Sequence, residues 1–356
     1  MRIPPALAAL ALTLAALVGC SDDGDGADVD PGGDHLAEAA DVLPSDSTLV
    51  EFVDRAASAE RAGVGGTEVP VDDYVAALRS DDVAGSPLAT TLVTADEAGV
   101  ALDERGVEWS AAVTLGTGSG RAATVVSVAD DVDLDAMVAE LEEAGLAREE
   151  ADGRTHLTGL ASDLVDVSTG TIAGGYPAGF YDVTVDPDAR LVVTGDDASE
   201  VFRTVDGDTS SLADGPLGDL LDGVEGNDRV RLEALPDCTR ALLGGRVTPE
   251  QLERIEQEAP AFQRPLQTLL AQGDGDPQVR LLMADDDVAA ADVEVRQTFL
   301  DEGTLLSSGE PIADVLSGTV TQDGNEVVVD VSLADDAPAF LLDRLALTAD
   351  GPFACY

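Results

Sequence analysis

The chain has 356 residues, 71 Asp+Glu against 19 Lys+Arg, and a formal net charge of -52. Hydrophobic residues at 44% supply enough apolar surface for a core, which excludes a wholly disordered chain. The acidity excludes nucleic acid as a partner, and two His with three Cys are too few for a zinc or iron–sulfur site.

The N-terminus comes first in chain order. Arg2 is a minimal positive region, and Ile3 to Gly19 follow without a charge. Seventeen residues are short for a membrane span of about 20, so the run reads as the apolar part of a signal peptide. It ends in Leu17-Val18-Gly19-Cys20, which resembles the bacterial lipobox. The resemblance implies diacylglycerol on the Cys20 thiol, cleavage after residue 19 and further acylation, for instance by palmitate, at the new amine. An uncleaved signal anchor is the alternative. Cys20 argues for the lipobox, because it stands where the apolar run stops and a polar run starts. Each buried lipid methylene contributes about 0.8 kcal/mol, so two or three chains hold a protein on a membrane. Residues 20–34 are dense in Asp and Gly and read as a tether reaching roughly 20 Å.

Cys238 and Cys355 then remain as an even pair in an oxidising compartment, and a disulfide is expected. Closing a loop of about 100 residues is worth roughly 4–5 kcal/mol in the chain-entropy model. A redox-active pair would need a C-x-x-C spacing, which is absent.

Four times a strand-like run ends in an acidic pair and opens a helix-like run: at Asp130-Asp131, Asp196-Asp197, Asp285-Asp286 and Asp335-Asp336. Asp suits the positive end of a helix and caps its free N–H groups. Trp109, Ala111, Val113 and Leu115 alternate ahead of the glycine-rich turn 116–120, and Asp323-Gly324 precedes Val327, Val329, Val331 and Leu333. Strand, turn, strand, acidic pair and helix thus recur at about 109–146 and 316–347, which suggests an internal duplication. Leu134, Met137, Val138 and Leu141 have helical spacing, closed by Gly145. Thr248-Pro249-Glu250-Gln251 reads as a capping box, with a helix that Pro260 and Pro265 divide and Gly273 ends. Residues 170–181 read as a loop. Hairpin-joined strands predict an α+β fold: mainly antiparallel sheets with helices packed on one face. The expected organisation is a signal peptide 1–19, a tether 20–34, an N-terminal lobe 35–226 and a C-terminal lobe 227–356 carrying the disulfide.

Candidate chemistry is sparse. Gly116-x-Gly118-x-Gly120 mimics a phosphate loop, but a strand follows where a dinucleotide fingerprint needs a helix. Ser119 lacks the first Gly of G-x-S-x-G. A catalytic triad has only His35, beside the tether, and His156, on a strand, to draw on; a non-catalytic surface or half-buried role is expected for both. Asp131, Asp133, Asp135 and Glu142 match calcium-loop positions 1, 3, 5 and 12, but Ala136 replaces the turn glycine, and helix capping is the expected role. A carboxylate pair for glycoside hydrolysis has no distinguishing mark among 71 acids, and 3% aromatics argue against a sugar-stacking cleft. No catalytic, cofactor-binding or metal-ligating residue is assigned, and no cofactor is expected.

The lipobox, the Asp-rich tether, Asp41-Val42-Leu43-Pro44-Ser45-Asp46, Ser210-Ser211-Leu212-Ala213-Asp214 and Phe353-Ala354-Cys355 together resemble uncharacterised secreted lipoproteins of actinobacteria. The absence of lysine and the abundance of Asp, Ala, Gly, Val and Arg suit a high-GC genome and a solvated extracellular surface; salt adaptation is a second reading. The resemblance implies the extracytoplasmic face of the cell membrane, and it transfers no catalytic residue. The expected function is a non-catalytic binding or envelope-organising role, the partner being an envelope protein or a small ligand. The alternatives are a solute-binding lipoprotein of a transporter, built from two parallel βαβ lobes, and a hydrolase using carboxylates or a cation.

Overall fold

In this computed structural model the residues described are 34–65, 69–70, 73–74, 76–77, 100–116, 122–160, 164–166, 171–172, 176–195, 197–224, 226–236, 238, 262–273, 275–305, 308–335, 337–338 and 341–355. The lipobox, nearly all of the tether, Ser119 and the capping box at Thr248 lie outside them. Gly32–Tyr356 form one compact unit.

The elements in chain order are α1 (His35–Val42), β1 (Ser47–Asp54), α2 (Arg55–Arg61), β2 (Val107–Leu115), β3 (Ala122–Val128), α3 (Leu134–Glu143), β4 (Ala147–Ala151), β5 (Arg154–Thr158), β6 (Val165–Asp166) and β7 (Thr171–Ile172). Then come β8 (Asp182–Asp186), β9 (Leu191–Thr194), α4 (Ala198–Val205), β10 (Arg229–Ala234), β11 (Gln267–Gln272), β12 (Gln278–Leu282), α5 (Asp286–Glu302), β13 (Leu316–Asp323), β14 (Glu326–Leu333) and α6 (Leu341–Thr348). Twelve strands form one sheet in the order β13-β14-β12-β11-β10-β1-β2-β3-β9-β8-β5-β4, and β6 and β7 make a separate ribbon. Each neighbouring pair is antiparallel. The α+β antiparallel class is therefore the one the hairpins predicted.

The two halves expected from the sequence meet inside this sheet, because β10 hydrogen-bonds to β1 along its length. An internal repeat of topology is present, with a longer unit than the sequence suggested. The run β1-β2-β3-α3-β4-β5 is matched by β10-β11-β12-α5-β13-β14. β1 and β10 are adjacent at the centre, and β4 and β13 are the two edges. The hairpin β8-β9 is inserted in the first half, between β3 and β5; in the second, β14 pairs directly with β12. The counterpart of the junction at Asp130-Asp131 is thus the one at Asp285-Asp286, not the segment 316–347.

Helices cover both faces rather than one. The physical reason is visible in β3: Val125 and Val126 are both buried, and successive strand side chains point to opposite faces. Val125 packs with Val50, Phe52, Trp109, Ala111, Val113 and Leu115 beneath α1, α4 and the segment Leu212–Val224. Val126 packs with Val128, Leu157, Val183 and Val192 beneath Leu134, Met137, Val138 and Leu141 of α3. On that second face the other half has its own core, where Leu270, Val279, Leu281, Val327, Val329 and Val331 meet α5 and α6. Leu333, expected on the buried face of β14, is more than a third exposed.

The segment expected to run on as a helix to Gly273 is instead strand β11 from Gln267. Thr268-Leu269-Leu270-Ala271 is a short apolar run buried on both sides, for which spacing alone does not separate strand from helix; pairing with β10 and β12 decides it. In the expected loop 170–181 the described residues include Tyr176, fully buried and stacked on Phe180 with ring centroids 5.3 Å apart.

Candidate binding groove

The two cores of the second face are separated by a polar strip. In the central strands the register sets Glu51 of β1 opposite Arg231 of β10, Leu49 opposite Glu233, and Val53 opposite Arg229. On the β10 side, Arg231 faces Leu270 and Arg229 faces Gln272 of β11. Strand alternation sends the even-numbered Val230 and Leu232 into the core under α1 and α4, so Arg229, Arg231 and Glu233 share the other face. A narrow pocket opens there, lined by Glu51, Val53, Arg229, Arg231, Leu270, Gln272 and, from α6, Asp343 and Leu347.

The charges in this groove are engaged with one another. Arg231 forms an ion pair with Glu51 and lies 3.7 Å from Glu233. Arg229 is ion-paired to Asp343, which ties α6 to the centre of the sheet. Burial pushes the Glu51 carboxyl above the usual range; Arg231 opposes this, while the neighbouring charges of Asp343 and Glu233 add to it. Leu347 is 47% exposed and forms an apolar lip.

The residues singled out from the sequence lie elsewhere. His35, on α1, holds Asp54 Oδ2 through Nδ1 at 2.9 Å, while Asp54 Oδ1 accepts from Ala57 N at the start of α2. The hydrogen bond to Asp54 raises the His35 pKa, burial opposing it. His156, on β5, has Nδ1 2.9 Å from Thr184 Oγ1 and Nε2 3.8 Å from Asp182 Oδ1. Thr184 is buried within the β8 ladder, so its hydroxyl is not presented as a nucleophile. Asp133 caps α3 by accepting from Ala136 N at 2.9 Å, and Glu142 accepts from Arg148 Nη1 at 3.2 Å, so each carboxylate has its own partner. Among the described residues no group of three or more His, Cys, Asp or Glu is placed to hold a metal.

Cys238 and Cys355 are joined in a disulfide, with Cα atoms 5.2 Å apart. Beside them, the buried Arg296 of α5 donates to Pro352 O at 2.8 Å and Ala354 O at 3.0 Å and pairs with Asp292. The C-terminal residues are therefore held by α5 as well as by the disulfide.

Sequence reading passed over Glu51, Arg229, Arg231, Glu233 and Asp343. The available signal was alternation: Arg229-Val230-Arg231-Leu232-Glu233 puts three charges on one face of a strand. Such a pattern ordinarily marks a solvated face. Only the neighbours in the sheet make it a buried one.

No family model matches the chain, and no curated protein matches it. Solved structures similar to it include three crystal forms of TP0453. Form I aligns at 10% identity and a TM-score of 0.40, covering 89% of this chain and 98% of that one. Form III aligns at 9% and 0.42, covering 86% and 98%, and form IV at 11% and 0.44, covering 86% and 94%. Likeness at this level carries no functional argument.

Proposed function

We propose that this chain is a lipid-anchored extracytoplasmic protein that works by binding, with Cys20 as its anchor and the mid-sheet groove as its binding site. Location rests on Leu17-Val18-Gly19-Cys20 at the end of an uncharged run. The observation that carries the binding role is the groove itself: a pocket at the centre of an unbroken sheet, lined by charges that are already paired. Carboxylates engaged by guanidiniums are poorly suited to exchange protons with a substrate, which favours binding over hydrolysis. The antiparallel sheet also disfavours the solute-receptor reading, which calls for parallel βαβ lobes around a cleft.

The anchor is tested by fractionating cells that carry Cys20→Ser. The expected result is loss of palmitate labelling and release from the membrane fraction; a variant that stays membrane-bound overturns the anchor. The role is tested by crosslinking the anchored protein in intact envelopes and identifying what is attached by mass spectrometry. A stoichiometric partner supports an assembly role, and a transporter permease would select the solute-binding reading. A saturable turnover that disappears when one groove residue is changed would overturn the non-catalytic reading.

A further inference from the structure

We propose that the open edge of β4 is a docking surface for an extended segment of another protein, rich in lysine or arginine, that joins the sheet as a further strand. This surface is separate from the mid-sheet groove and does not depend on it.

Three features of the edge point the same way. The first is backbone. β4 ends the strand order, with β5 as its neighbour. The two strands close in the turn Asp152-Gly153, both residues at positive φ, so Ala151 and Arg154 are the hydrogen-bonded closing pair. By alternation Ala147, Glu149 and Ala151 direct their backbone groups to β5, while the N–H and C=O of Arg148 and Glu150 point away from the sheet. All five residues of β4 are exposed, and nothing among the described residues takes these outward groups. The second is the contrast between the repeats. On β13, the equivalent edge, Gln297 of α5 takes up Val320 N and Gly318 O. Counted from the caps Asp133 and Asp285, the residue of the first repeat in the place of Gln297 is Gly145, just past the end of α3. It has no side chain, so the amide that covers one edge has no counterpart at the other. The third is charge. The end of α3 and the β4–β5 hairpin carry Glu142, Glu143, Glu149, Glu150 and Asp152. Arg148 is ion-paired with Glu142 and Glu150, and Arg154 with Asp186 and Asp206. Glu143, Glu149 and Asp152 are left without an ion-pair partner among the described residues. Charges on an edge strand ordinarily block pairing, but these block only strands of their own sign. A second copy is repelled: the antiparallel register that uses every outward group sets Glu149 against Glu149, and each chain carries a net charge of -52. A basic strand instead gains the backbone bonds and places its cations opposite the free carboxylates.

The experiment is a calorimetric and NMR titration of the purified protein with acetyl-Thr-Lys-Thr-Lys-Thr-Lys-Thr-amide in about 0.15 M NaCl, which limits dispersed attraction to about 8 Å. The expected result is one saturable site per chain. At saturation, amide hydrogen exchange at Arg148 and Glu150 slows by about tenfold or more, while Glu149, already bonded to β5, changes little. The same peptide with Glu in place of Lys does not bind. Arg148→Pro removes an outward N–H and no bond to β5, and it leaves the edge more acidic. It abolishes strand addition, whereas attraction to acidity alone would grow. Glu149→Lys, at an exposed position, lowers the affinity about fivefold, as reversing a surface attraction does. Exchange in the unaltered chain decides the matter even if Arg148→Pro frays the hairpin. No binding, binding without protection of those two amides, or equal binding of the Glu peptide overturns the proposal. Protection of both amides by a dimer of the chain without peptide overturns it in favour of a second copy.

Discussion

Glu51 and Arg231 face each other across the two central strands and are joined as an ion pair, so the polar centre of the sheet is built from one residue of each topological repeat. Removing the cation alone leaves Glu51 buried without the guanidinium that faces it. Arg231→Met is expected to destabilise the fold by about 3 kcal/mol at neutral pH. The loss should shrink as pH falls through the raised range of the Glu51 carboxyl, where that acid takes up a proton. Urea unfolding at several pH values measures it; a pH-independent loss would assign the effect to packing instead.

His35 bonds Asp54, and Asp54 caps α2, so the first helix after the tether is tied to the second. The folded-state pKa of His35 is raised, chiefly by that hydrogen bond. Its contribution is therefore fully present below the unfolded value of about 6.5 and is lost as pH rises through the folded value. Thermal melts of wild type and His35→Gln from pH 5 to 9 should converge at the alkaline end. A constant gap would show that the proton plays no part.

At the C-terminus, α5 and the disulfide act together. Arg296→Met removes two bonds to backbone carbonyls and takes the guanidinium from the buried Asp292, which keeps only the Gln263 N–H, for an expected cost of about 3–5 kcal/mol. Cys238→Ser with Cys355→Ser should cost about 2–5 kcal/mol. Both act on one segment, so the triple variant should depart from additivity, which denaturant titration will detect.

The two edges of the sheet are protected differently. On β4 the edge carries Arg148, Glu149 and Glu150, and all five of its residues are exposed. On β13, Gln297 of α5 accepts from Val320 N at 2.9 Å and donates to Gly318 O at 3.2 Å. Its side-chain amide occupies the place of a neighbouring strand. Gln297→Ala frees those groups on a nearly uncharged strand, and concentration-dependent self-association is expected in sedimentation velocity. A variant that stays monomeric at all concentrations would show that the packing of α5 alone guards the edge.

Local chemistry made several elements legible. Leu134, Met137, Val138 and Leu141 predicted α3, and Asp285 caps α5 as its acidic junction should, whereas α3 is capped by Asp133, two residues past the pair Asp130-Asp131. The alternation from Trp109 to Leu115 and the valines of β14 predicted strands with a buried face. The disulfide partners followed from counting cysteines. These signals operate over a few residues or by elimination, so no long-range contact is needed to read them.

The amino-acid sequence by itself determined the antiparallel α+β class, most capped helices and hairpins, and the cysteine pairing. Tertiary structure alone decided that one sheet joins both halves, that helices lie on both its faces, and that Glu51, Arg229, Arg231, Glu233 and Asp343 converge. The reason is sequence separation. Arg231 lies 180 residues from Glu51, and Asp343 lies 114 from Arg229. A charged residue on an alternating strand reads as solvent-facing until the identity of its neighbours is known, and strand order is set by packing between distant segments.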